Sequence, residues 1–256
     1  MDAVMTILGS GTSMGIPTLG CDCRVCVSSD PRDTRTRPSV SIRWDQHCVL
    51  IDTGPDFRQQ ALREGIRDID AILYTHAHAD HILGLDDLRP LSYRNKRKMP
   101  LYADEATATA LERVFDYTFA SDARYPNRAR VEMHRINGAV EVCGLHFQPI
   151  PLLHGEMAVT GFRFGNIAYL TDMNDIPESS LPLLENLDIA VLDALRHTPH
   201  PSHSTLSESI EWANRLAPRV TYFTHMSHEI LHAETETALP ENMRLAYDGL
   251  QIPFEI

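Results

Sequence analysis

Six apolar runs in this chain stop at an ionisable residue. Val49-Leu50-Ile51 runs into Asp52 and Ile72-Leu73-Tyr74-Thr75 into His76. Pro149-Ile150-Pro151-Leu152-Leu153 ends at His154, and Ala168-Tyr169-Leu170-Thr171 at Asp172. Ala190-Val191-Leu192 ends at Asp193 and Tyr222-Phe223-Thr224 at His225. Short apolar runs bounded in this way read as buried strands. In layered α/β proteins with helices outside the sheet, ligands and catalytic groups gather at one end of the strands. A purely structural role would leave several polar groups uncompensated at strand ends, which is costly. Convergence on one metal site accounts for all of them.

The densest part of the pattern is Thr75-His76-Ala77-His78-Ala79-Asp80-His81, where three histidines and a carboxylate fall within six residues. Zinc and manganese take neutral imidazole and carboxylate ligands held on a rigid base. An H-x-H-x-D-H run offers two ligand pairs from one tight turn, enough to feed two adjacent ions. A solvent-exposed histidine-rich loop is the bland alternative; the specific spacing and the distant strand-end residues count against it.

Composition narrows the classes. With 256 residues the chain makes one large domain or two small ones, with room for a sizeable core. A net charge of −12 disfavours a protein that wraps nucleic acid by charge. Bound divalent metals would offset part of that charge locally, so a small anionic substrate remains compatible. No apolar run is long enough to span a membrane, and the first residues lack a basic, cleavable leader; a cytoplasmic protein is expected. Five cysteines are too few and too uneven for a disulfide scaffold. Cys21, Cys23 and Cys26 can face one tetrahedral metal and need one more ligand from elsewhere, which is favoured over a redox role in a reducing compartment. Cys48 and Cys143 sit in apolar stretches and read as core residues.

Along the chain, Val4 to Leu8 reads as a strand leading into the glycine-rich loop 9–17. That loop is similar to a phosphate cradle but lacks the Gly-Lys-Ser/Thr of a P-loop, so a tight turn is the better reading. Residues 28–38, with three arginines and two prolines, read as a surface loop. Val40 to Trp44 and Cys48 to Ile51 form a strand pair, and Pro55 is placed at the first turn of a helix that Gly65 ends. A basic run at Arg89, Arg94, Lys96, Arg97 and Lys98 is either a solvated face or a phosphate contact. Leu101 and Tyr102 suggest a strand. Asp104 caps a helix, 120–130 reads as a loop, and 131–169 as successive strands with turns at Asn137-Gly138 and Gly165-Asn166. Pro177 opens a short helix with Leu181, Leu184 and Leu187. Strands at 189–192 and 220–224 flank a helix that Thr205 and Glu208 cap as a box. A helix near 230–238 and two short strands end the chain.

His76-x-His78-x-Asp80-His81, followed in order by His154, Asp172 and His225, resembles the metallo-β-lactamase superfamily of binuclear hydrolases. The resemblance covers essentially the whole chain, 1–256. It implies one αββα sandwich domain, two mixed sheets back to back with helices on both outer faces, carrying a zinc-binding loop at about 20–38. The cysteine trio and the ending His225-Met226-Ser227-His228 resemble the PhnP-type cyclic phosphodiesterases of phosphonate breakdown. That resemblance implies a structural zinc on Cys21, Cys23, Cys26 and His228. It also implies an active-site role for His203 in Ser202-His203-Ser204-Thr205, a segment similar to ribonuclease Z as well.

On the family pattern, His76, His78 and His154 would hold one catalytic ion, zinc or manganese. Asp80, His81 and His225 would hold the other, with Asp172 bridging. Paired ions make water a competent nucleophile near neutral pH. Asp80 and His203 are the candidate catalytic residues, His203 as general acid or phosphate clamp rather than a mere capping-loop residue. Asp52 and Asp193 would orient histidine ligands. His197 and His200, in a proline-rich loop, either line the pocket or have no role. The implied activity is hydrolysis of a small, cyclic ribose or nucleotide phosphodiester. A homodimer is allowed, and nucleic acid and membranes are not expected partners. The rivals are a glyoxalase II-like thioester hydrolase, a ribonuclease Z-like RNA phosphodiesterase, and a metal-dependent sensor without turnover. The first would need a C-terminal substrate domain, for which the chain after His225 is short. The second would need an exosite arm and a charge better suited to tRNA. True β-lactamases replace the bridging aspartate, which Asp172 disfavours.

Overall fold

The computed structural model describes residues 2–120 and 126–256. Among the described residues, fourteen strands lie in two seven-stranded sheets. The first sheet holds β1 (Asp2–Gly9), β2 (Ser39–Trp44), β3 (His47–Ile51), β4 (Ala71–Leu73), β5 (Met99–Ala103), β6 (Val131–Arg135) and, from the far end of the chain, β14 (Gln251–Glu255). The second holds β7 (Val140–Val142), β8 (Leu145–His154), β9 (Met157–Phe164), β10 (Ile167–Leu170), β11 (Ile189–Asp193), β12 (Val220–Thr224) and β13 (Met243–Leu245). The order is β14-β1-β2-β3-β4-β5-β6 in one sheet and β13-β12-β11-β10-β9-β8-β7 in the other. Both are mixed: antiparallel hairpins on one side give way to parallel neighbours from β3 to β6 and from β10 to β13.

Strand side chains alternate between faces, and the core records that alternation. Val49 and Ile51 of β3 point into the layer between the sheets, where Met5, Ile42, Phe147, Phe162 and Tyr169 meet them. Cys48 and Leu50 of the same strand point outward, against Phe57, Ala108 and Leu111. Those three residues belong to α1 (Phe57–Arg63) and α4 (Glu105–Val114); between these helices in sequence lie the short α2 (Ala79–Ile82) and α3 (Arg89–Arg94). A further short helix, α5 (Asp116–Phe119), follows α4. On the opposite outer face Leu170, Leu192 and Phe223 pack on Leu206 and Ala213 of α6 (Leu206–Leu216). Each such full burial of a large apolar side chain contributes about 1.5–3 kcal/mol. The result is the expected αββα sandwich.

Local chemistry explains the helix ends. Asp104 accepts from the Thr107 N–H, and Thr205 and Glu208 form the reciprocal box at the start of α6. α7 (His232–Ala238) and the two closing strands also fall where expected. Several local expectations need correction. Pro55 lies in the turn before α1, and the segment after Pro177 is a 3-10 helix, Glu178–Leu184, that excludes Leu187. The basic run 89–98 includes α3. The Asn137-Gly138 turn is no hairpin: β6 pairs with β5 and β7 with β8, so the chain changes sheets there. Cys143 is exposed, on the two-residue turn between β7 and β8. Of the 120–130 loop, 121–125 lie outside the described residues; 126–130 is irregular.

The segment 28–38 departs furthest from its reading as a surface loop. Arg35 is buried, and its guanidinium donates to Asp33 (2.9 Å) and to the carbonyls of Ser227 (3.1 Å) and Ile230 (2.7 Å). Asp33 also accepts from the His232 N–H at 2.8 Å. The His232 side chain is buried beside this cluster. Burial, reinforced by Arg32 and Arg35, pushes its pKa down to about 4. The unfolded chain, with histidine near 6.5, then binds the extra proton between pH 6.5 and 4, so this contribution is intact above that window and lost as pH falls through it. Between pH 7 and pH 5 the loss amounts to about 2 kcal/mol. Urea unfolding at both values should show His232→Leu losing less stability on acidification than the wild type; equal losses would refute the assignment.

Candidate metal centre

The strand-end residues meet at one end of the sandwich. Asp172, the second residue after β10, is the hub. Its Oδ1 lies 3.2 Å from His81 Nε2 and 3.1 Å from His225 Nε2, and its Oδ2 lies 3.7 Å from His76 Nε2. Asp80 Oδ2 stands 3.4 Å from His81 Nε2 and 3.6 Å from His225 Nε2. The potential ligand atoms of Asp80, His81, Asp172 and His225 are mutually within 4.8 Å, as are those of His76, His78 and Asp172, and of His154, Asp172 and His203. One carboxylate therefore belongs to every subset, one oxygen toward each side. All of these residues are buried except His78, whose ring packs edge-on to His76 (4.6 Å) and His154 (5.2 Å).

Backbone geometry helps to aim them. Asp52, Asp172 and His225 each follow a strand and adopt φ of 65°, 51° and 61°. Non-glycine residues seldom take this left-handed region. A Cβ at Gly54 would collide with the carbonyl oxygen of Asp80, so the glycine after Thr53 lets the metal-motif turn press against the end of β3. Gly11 makes a similar close approach to Arg35, while Thr12 and Ser10 pair through backbone with Met226. The glycine-rich loop is thus a turn packed beside His225.

A second layer of bonds orients the rings. His81 Nδ1 lies 2.7 Å from Asp52 Oδ2, and Thr75 binds both oxygens of Asp52. His154 Nδ1 donates to the Ser202 carbonyl at 2.7 Å. His203 Nδ1 lies 2.7 Å from Asp193 Oδ2, whereas His225 Nδ1 is 3.7 Å from Asp193 Oδ1. Asp193 therefore serves His203 first and the ligand His225 second, a refinement of its expected role. For His81, His154 and His203 the bonded Nδ1 leaves Nε2 facing the cluster, as second-layer partners do for metal-binding histidines.

The donor set fits divalent metals. His76 Nε2, His81 Nε2, His225 Nε2 and Asp80 Oδ2 are buried with no hydrogen-bond partner. Such orphaned atoms are rare in folded proteins and call for a ligand. Burial lowers His76 well below the ordinary histidine range and pushes His154 down to about 4, which keeps both neutral and able to ligate. Burial opposes ionisation of Asp80 and Asp172, yet the neighbouring His81 and His225 hold both carboxylates below their usual range.

The second cluster is also assembled. His228 Nδ1 lies 3.2, 3.5 and 3.8 Å from the sulfurs of Cys21, Cys23 and Cys26. A hydrogen bond from the Cys26 backbone is the main influence bringing the Cys23 thiol down to about 6, which favours the metal-binding thiolate. His197 is exposed and lines a cleft beside Cys23 and His228, away from the catalytic cluster. His200 packs 5.0 Å from the His203 ring. The basic run points elsewhere: Arg97 pairs with Asp68 and Asp70 at the start of β4, and Lys98 with Glu132. Sequence reasoning missed Thr75 and the Ser202 carbonyl. Thr75 directly precedes the motif, but a backbone acceptor 48 residues from its histidine leaves no sequence signal.

A four-layer sandwich with a buried His/Asp cluster at the ends of both sheets defines a metal-dependent hydrolase scaffold. A family model described as a beta-lactamase superfamily domain matches residues 47–226. A crystal structure described as a new diphosphatase from the PhnP family is 55% identical, with a TM-score of 0.94, covering 99% of this chain and 98% of that one. The chain belongs to the metallo-β-lactamase superfamily, on its PhnP-type branch. An octanoyltransferase of Porphyromonas gingivalis is 37% identical over 250 residues, 96% of this chain and 50% of that protein. Coenzyme PQQ synthesis protein B of Methylorubrum populi is 34% identical over 128 residues, 44% of this chain and 41% of the relative. The chain thus spans half or less of the length of these curated relatives. Zn(2+)-bound PqqB from Methylobacterium extorquens, 21% identical with a TM-score of 0.74 over 97% of this chain and 99% of that one, shares the fold. No helix among the described residues is long and apolar enough to cross a membrane.

Proposed function

We propose that this hydrolase cleaves a P–O bond in a small, doubly substituted phosphate, either a cyclic phosphodiester or a diphosphate linkage. The observation that carries the reading is Asp172, whose two oxygens face two separate histidine sets. His76, His78 and His154 would hold one divalent ion, Asp80, His81 and His225 the other, and Asp172 both. When bound, the pair would supply an activated water and neutralise charge developing on the phosphoryl oxygens. The PhnP-type resemblance and the diphosphatase relative support phosphorus as the centre attacked.

His203 supplies the proton. Its Nδ1–H donates to Asp193 Oδ2, which fixes the tautomer and leaves Nε2 to face the substrate. Its ring stacks on His225 at 4.8 Å and 15°, beside the ligand cluster. In the imidazolium form Nε2–H transfers its proton to the departing oxygen, so no bare alkoxide or phosphate trianion need leave. Cys21, Cys23, Cys26 and His228 would hold a structural zinc that anchors the loop before β2 to the strand end carrying His225.

The test offers metal-loaded protein a cyclic ribose phosphate, a dinucleoside diphosphate and a linear aryl diester, with a phosphomonoester and an octanoyl thioester as controls. Turnover of a diester or diphosphate is expected, and His203→Ala should lower it by about 10²–10⁴-fold. The effect should be smallest for the aryl diester, whose leaving group needs no proton. An equal loss on all substrates would remove the acid role. Thioester cleavage with no phosphate turnover would overturn the function in favour of acyl chemistry, the reading that the octanoyltransferase relative supports.

A further inference from the structure

The strands that deliver Asp52, His76 and His154 to the metal cluster carry a second constellation at their opposite ends. His47 opens β3, Asp70 directly precedes β4, and Cys143 lies two residues before β8. His47 Nδ1 is 3.2 Å from Asp70 Oδ2, and the Cys143 sulfur lies within 4.8 Å of both ligand atoms. β3 alone separates the two ends by about 15 Å at the usual strand rise, so this cluster is distinct from the catalytic one.

We propose that His47, Asp70 and Cys143 form a zinc site that joins the two sheets at the end of the sandwich remote from catalysis. The ligand chemistry selects the metal. Imidazole, carboxylate and thiolate together suit a borderline-soft d10 ion, whereas magnesium, calcium and manganese prefer oxygen-rich sets. Zinc–ligand bonds of 2.0–2.3 Å at tetrahedral angles put donor atoms about 3.3–3.7 Å apart. The His47–Asp70 pair, at 3.2 Å, stands just short of that spacing, and a rotation of the Cys143 side chain, whose sulfur lies within 4.8 Å of both, would complete the set. The fourth position faces solvent, since Cys143 is exposed and His47 and Asp70 are half-buried.

The surroundings hold the ligands in place. Asp70 accepts from the Cys48 N–H at 3.0 Å, and Arg97 steadies its other oxygen at 3.4 Å. The His47 ring packs against Trp44 at 5.5 Å. Local turn chemistry does not explain Cys143. The turn Cys143-Gly144 has φ of 51° and 85°, a two-residue hairpin geometry that ordinarily selects Asn or Gly at its first position. A thiol stands there instead, turned toward a carboxylate and an imidazole from the other sheet.

Binding balances simply. Cys143 loses its thiol proton to solvent, and His47 stays neutral by exchanging its Nδ1 proton for one on Nε2, so one proton leaves per ion. Because binding releases that proton, occupancy rises with pH.

The experiment follows alkylation of Cys143 peptide by peptide in the full chain, with the other metal sites filled, with and without added zinc. Zinc should slow Cys143 alkylation by roughly tenfold or more, because the free thiolate is the nucleophile. His47→Ala should abolish that protection. Native mass spectrometry should find one more zinc in wild type than in Cys143→Ser, with phosphohydrolase turnover equal in the two. Unchanged Cys143 alkylation on adding zinc, protection that survives His47→Ala, or equal zinc content in wild type and Cys143→Ser would each overturn the proposal. None of these readouts depends on the substrate assigned above.

Discussion

Asp172→Ala is expected to strip at least one ion from the catalytic cluster and to cut phosphate turnover by well over ~100-fold, the upper range for losing a group that only orients a ligand. The reason is electrostatic as well as geometric. Two ions of charge +2 repel with four times the energy of unit charges at the same separation. Among the ligands proposed for the paired ions, the anionic side chains are Asp80 and Asp172, and only Asp172 faces both histidine sets. Asp172→Asn keeps the shape and loses the charge, so it should fall nearly as far as the alanine variant. Metal content by mass spectrometry and turnover under saturating metal are the measurements. Two ions per chain retained by Asp172→Ala, with turnover within tenfold of wild type, would dismiss the shared-carboxylate reading.

Arg35→Met should lower unfolding stability by about 3–5 kcal/mol, the usual cost of breaking a buried ion pair from one side. The methionine fills much of the volume but strands Asp33, and it leaves the Ser227 and Ile230 carbonyls without their donors. Arg24 offers the contrast. Its 2.9 Å pair with Glu234 is largely solvent-exposed, at 78% and 67% side-chain exposure, so Arg24→Ala should change stability by less than about 0.5 kcal/mol. Guanidinium unfolding of the two variants decides the matter, and similar losses in both would mean that Arg35 is no clamp. Because Arg35 grips residues on either side of His228, its loss should also speed zinc release from the cysteine cluster.

The same arginine shows where sequence reading ends. The metal cluster was legible because His76, His154, Asp172 and His225 each end an apolar run, and His78, Asp80 and His81 follow His76 within one short motif. Thr205 with Glu208, and Asp104 with Thr107, were legible for the same reason: a cap and its partner are three residues apart. Arg35 lies in a stretch as polar as any surface loop, and the carbonyls that bury it are 192 and 195 residues away. Asn137-Gly138 carries a hairpin signature, but whether the next strand returns to the same sheet depends on packing that no turn dipeptide encodes. Cys143 has apolar neighbours, yet the turn that points it outward is set by the register of Val142 against Leu145.

The left-handed backbone at Asp52, Asp172 and His225 makes these strand ends a record of selection. Each such conformation costs of order 1–3 kcal/mol in a residue other than glycine, and asparagine or glycine would occupy it more comfortably. A lineage that gave up catalysis would therefore gain stability by changing these residues first. Glycine or asparagine at positions 172 and 225 of a related sequence would then point to a fold kept after its metal chemistry was lost.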